Sequence, residues 1–193
     1  MLPAFSNLLR AFASLRSEHP QLVRFAAIGL LGYVAWYGVY SYWLRPATLL
    51  DEWVIHSLVL TAEAWMEFTG WEVSPAVEQG LRHRVGMVGT NGVQIGDPCD
   101  GVVLFALFAL FLVAIPGPAV HKAWFIPAGT LVLHAVNAAR VVALLHVQRA
   151  APEWLQFNHD YPFTVLVYGV VFGLWYSWLR WFVMYPRMPH HVR

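Results

Sequence analysis

The chain has 193 residues, of which 59% are hydrophobic and 12% are charged, and its mean hydropathy is +0.53. This composition excludes an ordinary soluble domain, in which the charged fraction is about twice as large. A formal net charge of +1 without a basic stripe argues against a partner made of nucleic acid. The 10 Trp, 8 Tyr and 12 Phe are typical of a protein anchored at membrane–water interfaces. The sequence therefore predicts an all-α, multi-pass membrane protein with one integral-membrane domain.

Four apolar segments are candidates for membrane spans, since a bilayer core needs about 20 helical residues. They are residues 25–45, 99–115, 123–145 and 163–184. The second is short, and Pro116-Gly117-Pro118 ends it abruptly. Residues 1–24 precede the first span, and we interpret them as a cytoplasmic arm that carries a short surface helix.

Residues 50–71 have a different pattern, because their ionisable side chains recur at helical spacing. Glu52, His56, Glu63 and Glu67 fall on one face of a helix. This pattern predicts an amphipathic helix that lies on the surface or packs inside the bundle. Whether the segment crosses the membrane stays open at this stage.

Residues 72–98 are more polar and contain short β-branched runs. Asn91-Gly92 separates Val85 and its neighbours from Val93 and Ile95. Asn-Gly between such runs favours a type I′ turn, which needs two residues with positive φ. The segment is therefore predicted to form a small extracytoplasmic β-hairpin.

The orientation follows from the basic residues near the spans. They are Arg10, Arg16 and Arg24 in the arm, Lys122 after the second span, and Arg187 and Arg193 in the tail. With four spans, all of them lie on one side, which is the cytoplasmic side by the positive-inside rule. The hairpin and the loop over residues 146–162 then lie outside.

Cys99 is the only cysteine in the chain and directly precedes the second apolar run. A lone thiol cannot form an intramolecular disulfide. With Asp97 as N-cap and Pro98 as the first helical residue, Cys99 would lie in the first helical turn, where the helix dipole favours a thiolate. The neighbouring Asp100 opposes this effect. Two interpretations are open for Cys99: a nucleophile or a small buried hydrophobic residue.

Four spans bring two further residues to the membrane face of Cys99. Arg140 lies near the outer end of the third span, and His159 lies just before the fourth. A guanidinium can stabilise an oxyanion, and an imidazole can carry a proton between a thiol and a leaving amine. Asn137 is on nearly the same helical face as Arg140 and is predicted to hold its guanidinium. The alternatives are a snorkelling Arg140 and an ordinary loop histidine at position 159.

Two other histidines are alternatives to His159 as the base. His134 lies deeper in the third span, and His146 lies beyond Arg140 on a different helical face. The sequence has no paired histidines with a carboxylate at metal-ligand spacing. We therefore expect neither a metal nor a cofactor.

These motifs together resemble the exosortase/archaeosortase family. They are Asp97-Pro98-Cys99-Asp100-Gly101 before a membrane helix, Asn137-Ala-Ala-Arg140 in the next, and His159 before the last. The chain length and Trp124-Phe125-Ile126-Pro127 resemble the short exosortase subfamilies of the XrtX or XrtF type. The resemblance covers roughly residues 85–180. Larger members have more spans and usually Ser-Gly after the cysteine, where this chain has Asp100-Gly101.

The resemblance implies a cysteine transpeptidase or protease of the bacterial inner (plasma) membrane, with its site on the extracytoplasmic face. Cys99 would be the nucleophile, Arg140 the oxyanion stabiliser and His159 the general acid/base. The implied substrate is an exported protein that ends in a short motif, a transmembrane helix and a basic tail. Its acyl group would pass through a thioester to water or to an amine or hydroxyl acceptor, such as a glycan or lipid.

Two functions without catalysis are also compatible with the sequence. One is a membrane component of exopolysaccharide assembly, in which Arg140 and the aspartates bind a lipid-linked glycan. The other is a small transporter, in which Arg140 and His134 are intramembrane charges. The thiol of Cys99 distinguishes these functions, because only the enzyme requires it.

Overall fold

The computed structural model describes residues 17–47, 49–79, 82–96 and 99–184. The predicted surface helix of the arm falls largely outside these ranges. So do the capping roles of Asp97 and Pro98, and the basic residues Arg10, Arg16, Arg187 and Arg193.

The described chain is mostly helical. Its helices are α1 (Pro20–Val39), α2 (Leu49–Phe68), α3 (Val102–Ala114), α4 (Ala119–Ala150), α5 (Leu155–Asp160) and α6 (Pro162–Trp178). Two π-helical segments, Tyr40–Leu44 and Leu179–Met184, extend α1 and α6, and a 3₁₀ turn, Pro152–Trp154, precedes α5.

Three described helical segments are long and apolar enough to cross a membrane: Pro20–Leu44, Ala119–Ala150 and Pro152–Met184. Three of the four predicted spans are thus matched by such helices. Helix α3 is apolar but has only 13 residues. It is about 20 Å long, whereas the hydrocarbon core is about 30 Å thick.

The second predicted span is shorter than expected because α3 begins at Val102. Its N-cap, Gly101, has a left-handed backbone with φ 91°, which interrupts the helical path. The Asp100 side chain accepts a hydrogen bond from the Val102 N–H at 3.0 Å and so caps the helix end. The prediction that Cys99 lies in the first helical turn is therefore wrong, since Cys99 lies in the turn before the helix.

The segment predicted as an amphipathic helix is helical over Leu49–Phe68, so the helix ends at Phe68 rather than at residue 71. Gly70, with φ 78°, ends it in a Schellman arrangement, in which the Trp71 N–H bonds the Met66 carbonyl at 2.9 Å. Of its predicted polar face, Glu52, His56 and Glu67 are exposed and Glu63 is half-buried. The buried face lies about 90° around the helix from these polar residues and consists of Ile55, Leu58, Val59, Ala62 and Met66.

The polar segment forms a three-stranded antiparallel sheet in the order β1 (Val73–Gln79), β2 (Arg82–Met87), β3 (Val93–Ile95). Strands β2 and β3 are the predicted hairpin, with Val85 opposite Val93. Their connection spans residues 88–92, so it is longer than the predicted two-residue turn. Gly89 and Gly92 supply its positive φ values of 81° and 69°. Strand β1 is an addition to the predicted hairpin.

Two hydrophobic clusters hold these elements together, and α4 contributes to both. The first joins α2, the sheet and the second half of α4 through Met66, Val85, Ile95, Val141 and Leu145. The second joins α3, α6 and the first half of α4 through Phe108, Leu112, Phe125, Leu133 and Trp178. Asn137 and Arg140 lie on α4 where the two clusters meet, and there the sheet, α3 and α5 converge.

Candidate active site

The structure brings Cys99 and His159 together from positions 60 residues apart. The Cys99 Sγ lies 2.9 Å from the His159 Nε2. Cys99 lies in the turn between β3 and α3, and His159 lies in the last turn of α5. Pro162 then begins α6, and the Thr164 hydroxyl donates to the His159 carbonyl at 3.1 Å. These contacts fix the corner that carries the imidazole.

The Asp160 carboxylate contacts the other nitrogen of the His159 ring. The His159 Nδ1 lies 2.9 Å from the Asp160 Oδ1, and the Gln156 amide donates to the Asp160 Oδ2 at 2.8 Å. When Nδ1 carries the proton and donates it to Asp160, Nε2 is left to accept the thiol proton. The carboxylate is 44% exposed and the imidazole 31%, so the pair lies at the protein surface.

Asp160 is a residue of the site that the sequence prediction missed. The available signal was its position next to His159. Adjacent helical residues normally point about 100° apart, so this neighbourhood gave no reason to pair them. The pair forms between consecutive residues at the end of α5, where Gln156, one turn earlier, holds the other carboxylate oxygen.

Asn137 supports the turn that carries Cys99. Its side-chain amide donates to the Cys99 carbonyl at 2.9 Å and to the Asp100 carbonyl at 3.0 Å, and the residue is buried. Asn137 therefore holds the turn that carries Cys99, and not the Arg140 guanidinium as predicted. The reason is that the N-terminal end of α3 packs against this part of α4 and presents its carbonyls to the amide.

Arg140 is half-buried and directed towards the same corner. Its Nη2 donates to the His159 carbonyl at 3.2 Å. Its Nε is buried and has no hydrogen-bond partner within the described ranges. Cys99, Asn137, Arg140 and His159 line one small cavity. A guanidinium donor is thus available beside the thiol and the imidazole.

A larger cleft opens next to this cavity, with a volume of about 400 Å³. Gly92, Val93, Gln94 and Gly96 of the β3 segment form one part of its wall, and Leu144, Leu155 and Gln156 form another. Cys99 and His159 line the cleft as well. The cleft therefore gives a ligand of several residues access to both reactive groups.

The alternative histidines lie elsewhere. The His134 Nε2 is 3.2 Å from the Ser57 Oγ, and its ring packs against Phe105. The His146 Nδ1 is 2.9 Å from the Val142 carbonyl, and its ring packs against Trp71. Neither lines the cavity or the cleft that holds Cys99.

Within the part of the chain that the structure describes, no group of three or more His, Cys, Asp or Glu side chains is arranged to hold a metal ion. A thiol, an imidazole and a carboxylate in series are, however, the groups that activate a sulfur nucleophile. Comparison of the chain with known protein families, with curated proteins and with solved structures finds no match.

Proposed function

We propose that this protein is an exosortase-like membrane cysteine transpeptidase or protease that cleaves the C-terminal sorting signals of exported proteins. The observation that carries the proposal is the 2.9 Å contact of the Cys99 Sγ with the His159 Nε2, continued by the 2.9 Å contact of Nδ1 with Asp160. A cysteine that served only for packing would need neither partner. Nucleophilic catalysis needs both, because the thiolate is the reactive form.

The reaction would begin when His159 takes the proton of the Cys99 thiol. The thiolate attacks the scissile amide carbonyl, and the C–N bond breaks as the imidazolium returns its proton to the leaving amine. The product is a thioester on Cys99 and a released C-terminal fragment. An amine, a hydroxyl group or water then attacks the thioester, with His159 as base, and the thiol is regenerated.

Arg140 would stabilise the tetrahedral oxyanion that forms before the C–N bond breaks. The buried Nε, which has no acceptor among the described residues, supports this role, since its side chain lines the same cavity as Cys99 and His159 and an oxyanion would give it an acceptor. A well-placed donor of this kind is worth about 10²–10³ in turnover. Asn137 would act earlier, by holding the turn in which the nucleophile lies.

The proposal includes four spans, with α3 as the short one. Helix α3 runs beside α4 in the opposite direction, because Asn137 contacts its beginning and Lys122 donates to the Ile115 carbonyl at its end at 2.6 Å. Phe111 of α3 packs between Phe25 of α1 and Trp175 of α6. These contacts support an α3 that lies within the bundle at membrane depth. Cys99 and the sheet would then face the extracytoplasmic side.

The test is processing of a reporter that ends in a short motif, a transmembrane helix and an arginine-rich tail, taken from a protein encoded next to this chain. We expect Cys99→Ala and Cys99→Ser to abolish cleavage at unchanged expression, because a serine hydroxyl has a far higher pKa than a thiol. His159→Ala should abolish cleavage as well. The matched control is His146→Ala, which removes an imidazole outside the cleft and should cleave normally. Normal cleavage by Cys99→Ala would refute the enzyme and favour a non-catalytic role in exopolysaccharide assembly.

A further inference from the structure

Strand β3 lies at an edge of the sheet and at the wall of the cleft. Within the described ranges, it pairs with β2 on one side only. Gly92, Val93, Gln94 and Gly96 of this segment line the cleft. An edge strand presents N–H and C=O groups that its own sheet does not use. Apart from the Gly92 N–H, which donates to the Thr90 hydroxyl at 3.3 Å, this edge of peptide backbone borders the cleft.

This edge leads directly to the thiol. Strand β3 ends at Ile95, and the Gly96 carbonyl accepts a hydrogen bond from the Cys99 N–H in the turn that follows. Sγ and the His159 imidazole lie in the same cleft as the strand. A chain paired with β3 would thus run towards the reactive sulfur.

We propose that the substrate peptide binds in an extended conformation as an added strand on β3, with its scissile carbonyl at Cys99. This inference rests on the proposed function and specifies how the same site holds its substrate. An extended peptide has backbone donors and acceptors that complement those of an edge strand. Its alternate side chains would point to opposite sides, and the wall with Leu144 and Leu155 would accept apolar ones.

The side chains of β3 support recognition of the main chain rather than of particular residues. Val93 and Ile95 are buried in the hydrophobic core, and only Gln94 is exposed. Glycine is required at position 92 by the fold and not by recognition, because a Cβ there would lie 2.8 Å from the Val85 carbonyl oxygen. Strand β3 therefore supplies affinity for an extended backbone, and the wall with Leu144 and Leu155 supplies selectivity for the side chains of the peptide.

The test uses chloromethyl ketone probes on the purified full chain, with the adduct measured by intact mass. In the labelling step, the thiolate displaces chloride to form a thioether, and the thiol proton passes to His159. Because the chain has one cysteine, every thioether reports on this site. We expect acetyl-tetraalanine chloromethyl ketone to react at least about tenfold faster than acetyl-alanine chloromethyl ketone. N-methylation of every second backbone amide of the longer probe should slow its reaction about fivefold for each hydrogen bond that is lost.

Two controls separate this inference from the proposed function. His146→Ala should leave the tetrapeptide rate unchanged, because His146 lines neither the cleft nor the small cavity. Iodoacetamide measures the reactivity of Cys99 without a peptide, and its rate should fall in His159→Ala. An iodoacetamide rate that is insensitive to His159→Ala would contradict the proposed function. Equal rates for the short and long probes would contradict binding as an added strand, without contradicting the proposed function. The same would follow if N-methylation slowed the reaction equally at every position of the peptide.

Discussion

At the scale of single residues, the site depends on how His159 is held. The Asp160 carboxylate contacts Nδ1 and would keep Nε2 free to accept the thiol proton. We expect Asp160→Asn to lower turnover at least about tenfold, because an amide that donates to Nδ1 favours the wrong tautomer. The measurement is reporter cleavage together with the iodoacetamide rate of Cys99, both of which should fall.

The control for Asp160→Asn is Gln156→Ala. This variant removes a hydrogen bond to the other carboxylate oxygen and leaves the contact with His159 in place. It should retain most of the activity. If Asp160→Asn cleaved at the normal rate, Asp160 would be a surface residue without a part in the reaction.

Arg140→Lys separates an oxyanion donor from a membrane anchor. Lysine keeps the charge but lacks the planar fork of donors, so reporter cleavage should fall about 10²-fold. The iodoacetamide rate should change little, because alkylation forms no oxyanion. A snorkelling side chain would tolerate lysine in both assays. Combining Arg140→Lys with Asp160→Asn should cost less than the sum of the single effects, as for other catalytic units.

The sequence allowed the meeting of Cys99 and His159 to be predicted, but only part of their surroundings. Cys99 and His159 could be brought to one face by counting spans, because topology fixes which ends of helices are close. Asp160 and the role of Asn137 could not be found in this way. The first depends on the side-chain rotamers of two adjacent helical residues and the second on the backbone turn at Gly101, and residue spacing encodes neither.

At the scale of elements, the turn before α3 determines where the thiol lies. Asn137→Ala removes the two hydrogen bonds to the Cys99 and Asp100 carbonyls and leaves a cavity in a buried site. We expect a loss of about 2 kcal/mol in stability, which lowers the unfolding midpoint by about 4–8 °C. The apparent midpoint in detergent measures the effect. Ser177→Ala removes an exposed helical hydrogen bond and should change it by less than a degree or so.

Gly101→Ala is a second test of this turn. Gly101 has φ 91°, and a Cβ there would lie 3.2 Å from the Phe105 ring. A left-handed backbone costs a non-glycine residue about 1–2 kcal/mol, so the variant should lose stability and react more slowly at Cys99. Gly29→Ala in α1 is the matched control, because a Cβ there meets no atom within 4 Å. An equal effect of both variants would mean that the Gly101 conformation is not required.

Elements whose residue types recur at a regular spacing could be predicted from the sequence. Elements that form only through pairing with a neighbouring strand could not. Helix α2 follows from the spacing of its polar residues, and the β2–β3 pair follows from β-branched runs around Asn91-Gly92. Strand β1 has no such signal, since Pro75 and Glu78 are unfavourable in strands. It forms because β2 offers it an antiparallel partner.

At the scale of the whole molecule, the proposed arrangement of four spans would place Cys99 outside and the Lys122 turn inside. An impermeant maleimide applied to intact spheroplasts should therefore label the native chain. In a Cys99→Ala background, Glu153→Cys should also be labelled. Val120→Cys, at a position that is 78% exposed near Lys122, should react only after permeabilisation. The reverse pattern would refute the arrangement.

One turn of α4 connects the two halves of the site. Asn137 holds the carbonyls of the thiol turn, and Arg140, three residues later on the same face, holds the carbonyl of the imidazole corner. Contacts with a single turn of α4 therefore hold both the turn that carries the Cys99 Sγ and the corner that carries the His159 Nε2. In the proposed four-span arrangement, the thiol and the imidazole would both travel with α4 when it tilts or slides in the bilayer. Reactivity should in consequence be insensitive to bilayer thickness, even though the short α3 is not matched to it.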